Sequence, residues 1–320
     1  MVTNLINFID NDFFKLFFVL LSIAVLFVFI KNYFEKRKLE KRIFFSESTN
    51  DLYEDNFQHF NVHSKIEVHA ENLNPNFELI AKLECISQGR FPKTAILKLE
   101  NFIRIGQKSI RLSDRILGSL GNSRAFYVGI LLANRHGSLS LIEHIEFSDA
   151  LKSIANEFNL KLTIDEYADI VKKLKPLKSK ISKLDGKLVL TIKFNEYPSK
   201  FAMDGFAEKF NLARYAENRF AKVNKIGSPE FTIVPADYVY DLNIIMDLPR
   251  VENPDKVFKT MYEIAEWLVF QFEGCIIDKN GNQLSMNSKS IISNQISNKI
   301  HLLNKFGLPP GGNLSMRVFN

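Results

Sequence analysis

The feature that most constrains this chain is an apolar run near its start, Phe13 to Ile30, FFKLFFVLLSIAVLFVFI. From Leu16 to Ile30 it carries no charge, and Ser22 is its only polar side chain. A helix over this run would be roughly 27 Å long at about 1.5 Å per residue, close to the hydrocarbon core of a bilayer. Lys15 lies within one turn of the start, where its stem can run along the helix while its ammonium reaches the headgroups. A helix satisfies its own backbone groups, as lipid demands. The run predicts a transmembrane helix over 13–30, and everything after it must be something held beside a membrane.

The flanking charges give this helix a direction. Asp10 and Asp12 precede it; Lys31, Lys36, Arg37, Lys38, Lys41 and Arg42 follow it. Basic residues stay on the cytoplasmic side, so residues 1–12 are predicted to be periplasmic and the long C-terminal part cytoplasmic. A cleaved signal peptide would carry its positive charge before the run and a small-residue site after it, the reverse of what stands here. The block Lys31 to Arg42 holds six basic and two acidic residues, so it supplies +4 of the chain's net +6. That places the predicted contact with anionic lipid of the inner membrane at the foot of the helix. A nucleic-acid partner, which wants a basic stripe on the folded part, is not predicted. Cys85 and Cys275 sit far apart in apolar strand-like runs and read as buried, reduced thiols.

Residues 31–75 read as this basic juxtamembrane segment and a flexible linker, with a short strand at Lys65 to His69. His59 and His63 have helical spacing, but no cysteine is near and nothing else marks a helix, so no metal is expected. Beyond the linker, strands and helices alternate in two rounds, predicting a first α+β unit over 76–185 and a second over 186–320. In the first, FELIAKLECI puts Leu79, Ala81, Leu83 and Cys85 on one face of a strand. Pro92 opens a helix, AFYVGILLA reads as a central strand, and Ser148 is placed to cap a helix carrying Leu151, Ile154, Ala155 and Phe158. Pro176 is expected to break or kink the next helix. In the second, KLVLTIKF (187–194), Phe231 to Val234 and LNIIMDL (242–248) read as strands. Asn253 and Pro254 start a helix that Gly274 ends; a long helix follows over 287–306, and LSMRVF (314–319) reads as a last strand. SIANEFNLKLTI at 153–164 resembles EIAEWLVFQFEGCII at 263–277, a weak internal repeat of domain length.

The strand–turn NIIMDLP (243–249) and the helix–strand–turn VFKTMYEIAEWLVFQFEGCIIDKNGNQL (257–284), behind an anchor of this orientation, resemble the ZipA family of bacterial cell-division proteins. GILLANRHGSLSLIEHIEFSDAL (129–151) and FGLPPGGNLSMRVF (306–319) resemble its divergent beta-proteobacterial form. The resemblance implies a membrane tether for the tubulin-like protein FtsZ, whose C-terminal tail lies in a shallow apolar groove on an exposed sheet face. It implies an α+β fold with two ZipA-like units of antiparallel sheet packed on helices, the second holding the groove, and no cofactor. If Leu188, Leu190, Ile192 and Phe194 face the helices, Val189 and Thr191 face out; if Ile244, Met246 and Leu248 face in, Asn243 and Ile245 face out. Phe231 and Ile233 are expected between them. Val189, Thr191, Phe231, Ile233, Asn243 and Ile245 are thus the predicted groove. The chain departs from the family in a short linker and an extra unit.

No phosphate loop or nucleophile elbow is present; Pro309 to Gly312 follows a helix and precedes a strand-like run, the reverse of a phosphate cradle. The rival to a non-catalytic tether is a membrane-bound enzyme or ligand sensor on a ferredoxin-like scaffold, with His136, Glu143 and His144 on one loop as its site. A shallow, charge-poor sheet face would favour the tether; convergent polar groups in a deep pocket would favour the enzyme.

Overall fold

The computed structural model describes residues 45–46, 72–86, 90–117, 124–236, 240–278, 280–285 and 287–320. The apolar run 13–30, the six basic residues between Lys31 and Arg42, the strand expected at 65–69 and His59, His63 and His69 lie outside them. Among the described residues no helix is long and apolar enough to cross a membrane.

Among the described residues, twelve strands form two antiparallel sheets. In chain order they are β1 (Phe45–Ser46), β2 (Glu78–Cys85), β3 (Arg104–Ile105), β4 (Lys108–Ser113), β5 (Ala125–Leu131), β6 (Leu160–Thr163), β7 (Lys187–Phe194), β8 (Ala213–Ala216), β9 (Arg219–Val223), β10 (Pro229–Pro235), β11 (Asp241–Asp247) and β12 (Gly274–Ile277). The helices are α1 (Lys93–Glu100), α2 (Leu141–Glu157), α3 (Tyr167–Leu184), α4 (Lys200–Lys209), α5 (Pro254–Gln271), α6 (Ser288–Lys305) and α7 (Asn313–Val318). The first sheet runs β3-β4-β5-β2-β6; the second runs β1-β7-β11-β10-β9-β8, with β12 also on β7.

Alternation dictates which face each sheet buries. On β2, Leu79, Ala81 and Leu83 meet Val128 and Ile130 of β5, Phe147 and Leu151 of α2 and Leu174 of α3 in one core. On β7, Leu188, Leu190, Ile192 and Phe194 meet Ile244 and Met246 of β11 and the apolar faces of α4, α5 and α6 in the other. An aromatic knot seals that second core: Trp267 stacks on Phe206 at 5.7 Å and meets Phe210 and Phe272 edge-on. Gly274 lets β12 come close to β7, since a Cβ there would sit 2.7 Å from the Lys193 carbonyl oxygen.

Three elements differ from their sequence readings. Helix α2 begins at Leu141, not after Ser148; Ser140 accepts from the Glu143 amide, and Glu143 answers on the Ser140 amide, a complete capping box. Helix α3 runs through Pro176, because Ile170 and Leu174 before it and Ile181 and Leu184 after it are all buried. Residues 313–318 form helix α7, not a strand: Val318 and Phe319 are both fully buried, which neighbours on one strand cannot be on a one-sided sheet.

The two sheets are joined by charge as well as by packing. Arg135, on the loop after β5, donates to Asp247 at 2.7 and 2.9 Å and to Asp185 at 2.6 Å. Arg317 of α7 returns the contact, donating to Glu78 at 2.6 Å and to Ser109 at 2.9 Å on the first sheet. Such ion pairs hold geometry, because removing one partner strands a buried charge.

Candidate functional site

The second sheet has one face on its helices and one face turned outward. Antiparallel pairing fixes what shares that outward face. Val189 pairs Ile245, Ile245 pairs Thr232, and Thr232 pairs Ala221, giving one row across four strands. Ile277 pairs Thr191, Thr191 pairs Asn243, and Asn243 pairs Val234, giving a second. Along the second row, Thr191 Oγ1 donates to Asn243 Oδ1 at 2.8 Å.

Charge returns in the adjacent row on either side, further along β7 and β11. Lys187 pairs Asp247 on one side, and Lys193 pairs Asp241 on the other. The Lys187 ammonium is pushed down to about 8, chiefly because burial penalises its charge, with Asp247 acting in the opposite sense. The face is therefore a neutral strip about two residue rows wide, bounded on each side by a row that carries charged residues. It is half-buried along β12, β7 and β11 and buried along β10 and β9, where Val234, Thr232 and Ala221 are 6%, 1% and 0% exposed. Its accessible part lies on Val189, Thr191, Asn243, Ile245 and Ile277.

Of the six residues predicted to form a groove, Val189, Thr191, Asn243 and Ile245 lie together on this face. Phe231 and Ile233 do not. Both are buried in the second core, at 1% and 0% exposure, against Phe206 and Phe220. The run FTIV is apolar on both faces, so alternation alone cannot choose between them; the register Ile233 to Ile244 does. Thr232 and Val234 hold the outward positions instead. The sequence reading also omits Ile277 and Ala221, and the hairpin of β8 and β9. Its signal was the turn at Glu217–Asn218, where Asn218 takes φ of 52°.

The rival catalytic cluster is not assembled. His144 lies on α2, buried, with Nε2 3.0 Å from the Asp165 carbonyl oxygen. Glu143 is occupied by the capping box. His136 Nε2 lies 2.7 Å from the Asn320 carbonyl oxygen, at the far end of the chain. The two histidines each tie one segment to another, and among the described residues no group of three or more His, Cys, Asp or Glu could hold a metal ion. Cys85 and Cys275 are unbridged and half-buried.

Residues 235–295 match the family model described as ZipA, C-terminal FtsZ-binding domain. This match supports a ZipA family protein. No curated protein matches the chain. The ZipA-matched span contains β11, α5, β12 and the start of α6, and so carries Asn243, Ile245 and Ile277 of the outward face. Strand β7, which contributes Val189 and Thr191, lies before it. The family is described as a binding domain, and the two rows of the face that it partly covers carry no charged side chain on β12, β7, β11 and β10.

Proposed function

We propose that this chain is a non-catalytic membrane anchor that binds the C-terminal tail of FtsZ and tethers the division ring to the cell inner membrane. Residues 13–30 span the bilayer with the N-terminus periplasmic. The basic block from Lys31 to Arg42 sits on anionic lipid and leads directly to β1, which joins the second sheet at Phe45 and Ser46. A first unit over 76–185 and a second over 186–320 stand in the cytoplasm, and the tail lies on the outward face of the second. Val189, Ile245 and Ile277 supply apolar contact there, while Thr191 and Asn243 supply the polar centre.

The observation that carries this reading is the neutral strip between the Lys187–Asp247 and Lys193–Asp241 pairs, on the same unit that holds the ZipA match. An uncharged sheet face of this kind takes an apolar peptide by contact area and gives little to a charged one. Function then follows from concentration rather than chemistry. The anchor confines the face to the membrane plane, and many weak contacts along an FtsZ polymer add by avidity. The test is a titration of the full chain, held in nanodiscs, with an FtsZ C-terminal peptide. Saturable binding that Ile245→Asp removes supports the reading; no binding at high peptide concentration sinks it.

A further inference from the structure

Helix α3 carries a surface that the proposed groove does not use. From Val171 to Leu184 it holds six lysines and no acidic residue. Lys178 is drawn inward, where its ammonium donates to the carbonyl oxygens of Asn134 and Arg135. The other five, Lys172, Lys173, Lys175, Lys180 and Lys183, are exposed. None of the ion pairs found among the described residues involves them. Of the other long helices, α2 and α5 are mixed in sign: α2 carries Glu143, Glu146, Asp149 and Glu157 with Lys152, and α5 carries Asp255, Glu263 and Glu266 with Lys256 and Lys259; α6 carries Lys289, Lys299 and Lys305 and no acidic residue.

The end of α6 lies beside this face. Lys299 donates to the Lys183 carbonyl oxygen at 2.8 Å, and the Lys180 ammonium stands 5.9 Å from the centre of the Phe306 ring. Exposed apolar groups sit among the lysines: Leu302 is 44% and Phe306 38% exposed, with Lys305 between them in sequence. Apolar side chains set between lysines suit the headgroup layer of an anionic bilayer, where rings and leucines insert and ammonium groups meet phosphate. An acidic protein surface would reward the lysines but leave Leu302 and Phe306 without a use.

Position agrees with charge. Ile181 and Leu184 of α3 are buried in the second core with Leu188 and Leu190, on the helix side of that sheet. The C-terminal part of α3 is therefore on the helix side of the second sheet, the side that does not carry Val189 and Ile245, while Ile170 and Leu174 pack its N-terminal part on the first core. Taken with the anchored reading above, on which this step rests, the chain from Lys31 to β1, which pairs β7 at Phe45 and Ser46, is about 14 residues long, and a coil of that length has an average span of roughly 20 Å. The folded part stays within reach of the bilayer from which it hangs.

We infer that the lysine face of α3, with Leu302, Lys305 and Phe306 of α6, is a second membrane contact. It docks on anionic lipid and turns the outward face of the second sheet away from the bilayer. Two states follow: undocked, with the sheet face oriented at random on its tether, and docked, with that face presented to the cytoplasm.

The test is lysine acetylation footprinting, read by mass spectrometry, on the full chain in nanodiscs of phosphatidylcholine alone or with phosphatidylglycerol. Acetylation of Lys172, Lys173, Lys175, Lys180 and Lys183 should slow several-fold in the anionic discs, and high salt should reverse it. Lys161 and Lys225, exposed on other surfaces, should not change. The triple variant Lys172→Glu, Lys175→Glu, Lys183→Glu should abolish protection of Lys180 while leaving FtsZ peptide binding intact. Equal rates in both lipids, or equal slowing at Lys161 and Lys225, overturns the inference, as does protection that needs an added acidic protein. Failure of the anchor itself is a separate result, visible as a chain that does not enter neutral discs.

Discussion

The two sheets of this molecule share an architecture and differ in what they turn outward. On the first, the outward positions of β2 are Glu78, Ile80, Lys82 and Glu84, and β6 adds Lys161 and Thr163. Lys82 and Glu84 pair at 2.9 Å, and at the other end α7 occupies the surface through Arg317 on Glu78. On the second, the same positions are Val189, Thr191, Asn243 and Ile245, with charge only at the margins. A charged face is content in water, whereas an uncharged strip gains by being covered. The two sheets thus differ in the outward half of their alternation, while their inward halves are alike in being apolar.

The contrast can be broken or sharpened in order of expected effect. Phe231→Ala should cost about 3–5 kcal/mol of stability, measured by denaturant unfolding, because it opens a cavity among Phe206, Phe220 and Ile233. If that variant stays stable and loses peptide binding instead, the two faces of β10 have been exchanged. Arg135→Ala should cost about 3 kcal/mol, since Asp247 and Asp185 lose their shared cation. Ile245→Asp should weaken peptide binding by about tenfold or more, with folding changed by less than about 1 kcal/mol, because it places a charge in the neutral strip. Thr163→Asp, the matching change on the first sheet, should alter stability by no more than about 0.5 kcal/mol and leave binding unchanged.

The margin of the strip gives a pH signature. Burial holds the Lys187 ammonium at about 8, below the ordinary lysine value of 10.5. Below pH 8 both folded and unfolded chains carry that proton, and the cost of burying the charge is fully present. Between about 8 and 10.5 the unfolded chain binds more proton than the folded one, so this group makes stability rise with pH. Unfolding measured across that window should show the rise in the natural chain and a flatter profile in Lys187→Gln. A steeper rise in the variant would contradict the assignment.

Much of this contrast is written in single strands. KLVLTIKF and FELIAKLECI alternate so strictly that their inward faces, and the outward Val and Thr of one against the Lys and Glu of the other, follow from period two alone. FTIV does not alternate in polarity, so its faces depend on a hairpin register set by β11, which no local pattern displays. The start of α2 is legible in Ser-Leu-Ile-Glu at 140–143, a capping-box signature that a reading centred on Ser148 passes over. Helix α7 hides because LSMRVF alternates over only six residues, too few to separate a strand from a turn and a half of helix. The clustering of His136, Glu143 and His144 in sequence misleads for the same reason: a helix start falls between them and directs each to a different neighbour.

The central claim is that the outward face of the second sheet, and not that of the first, takes the FtsZ tail. Calorimetric titration of an FtsZ C-terminal peptide into the full chain in nanodiscs tests it most directly, run in parallel on the natural chain, Ile245→Asp and Thr163→Asp. Saturable binding to the natural chain and to Thr163→Asp is expected, with at least about tenfold weaker binding to a folded Ile245→Asp. Binding that survives in Ile245→Asp and disappears in Thr163→Asp would contradict it.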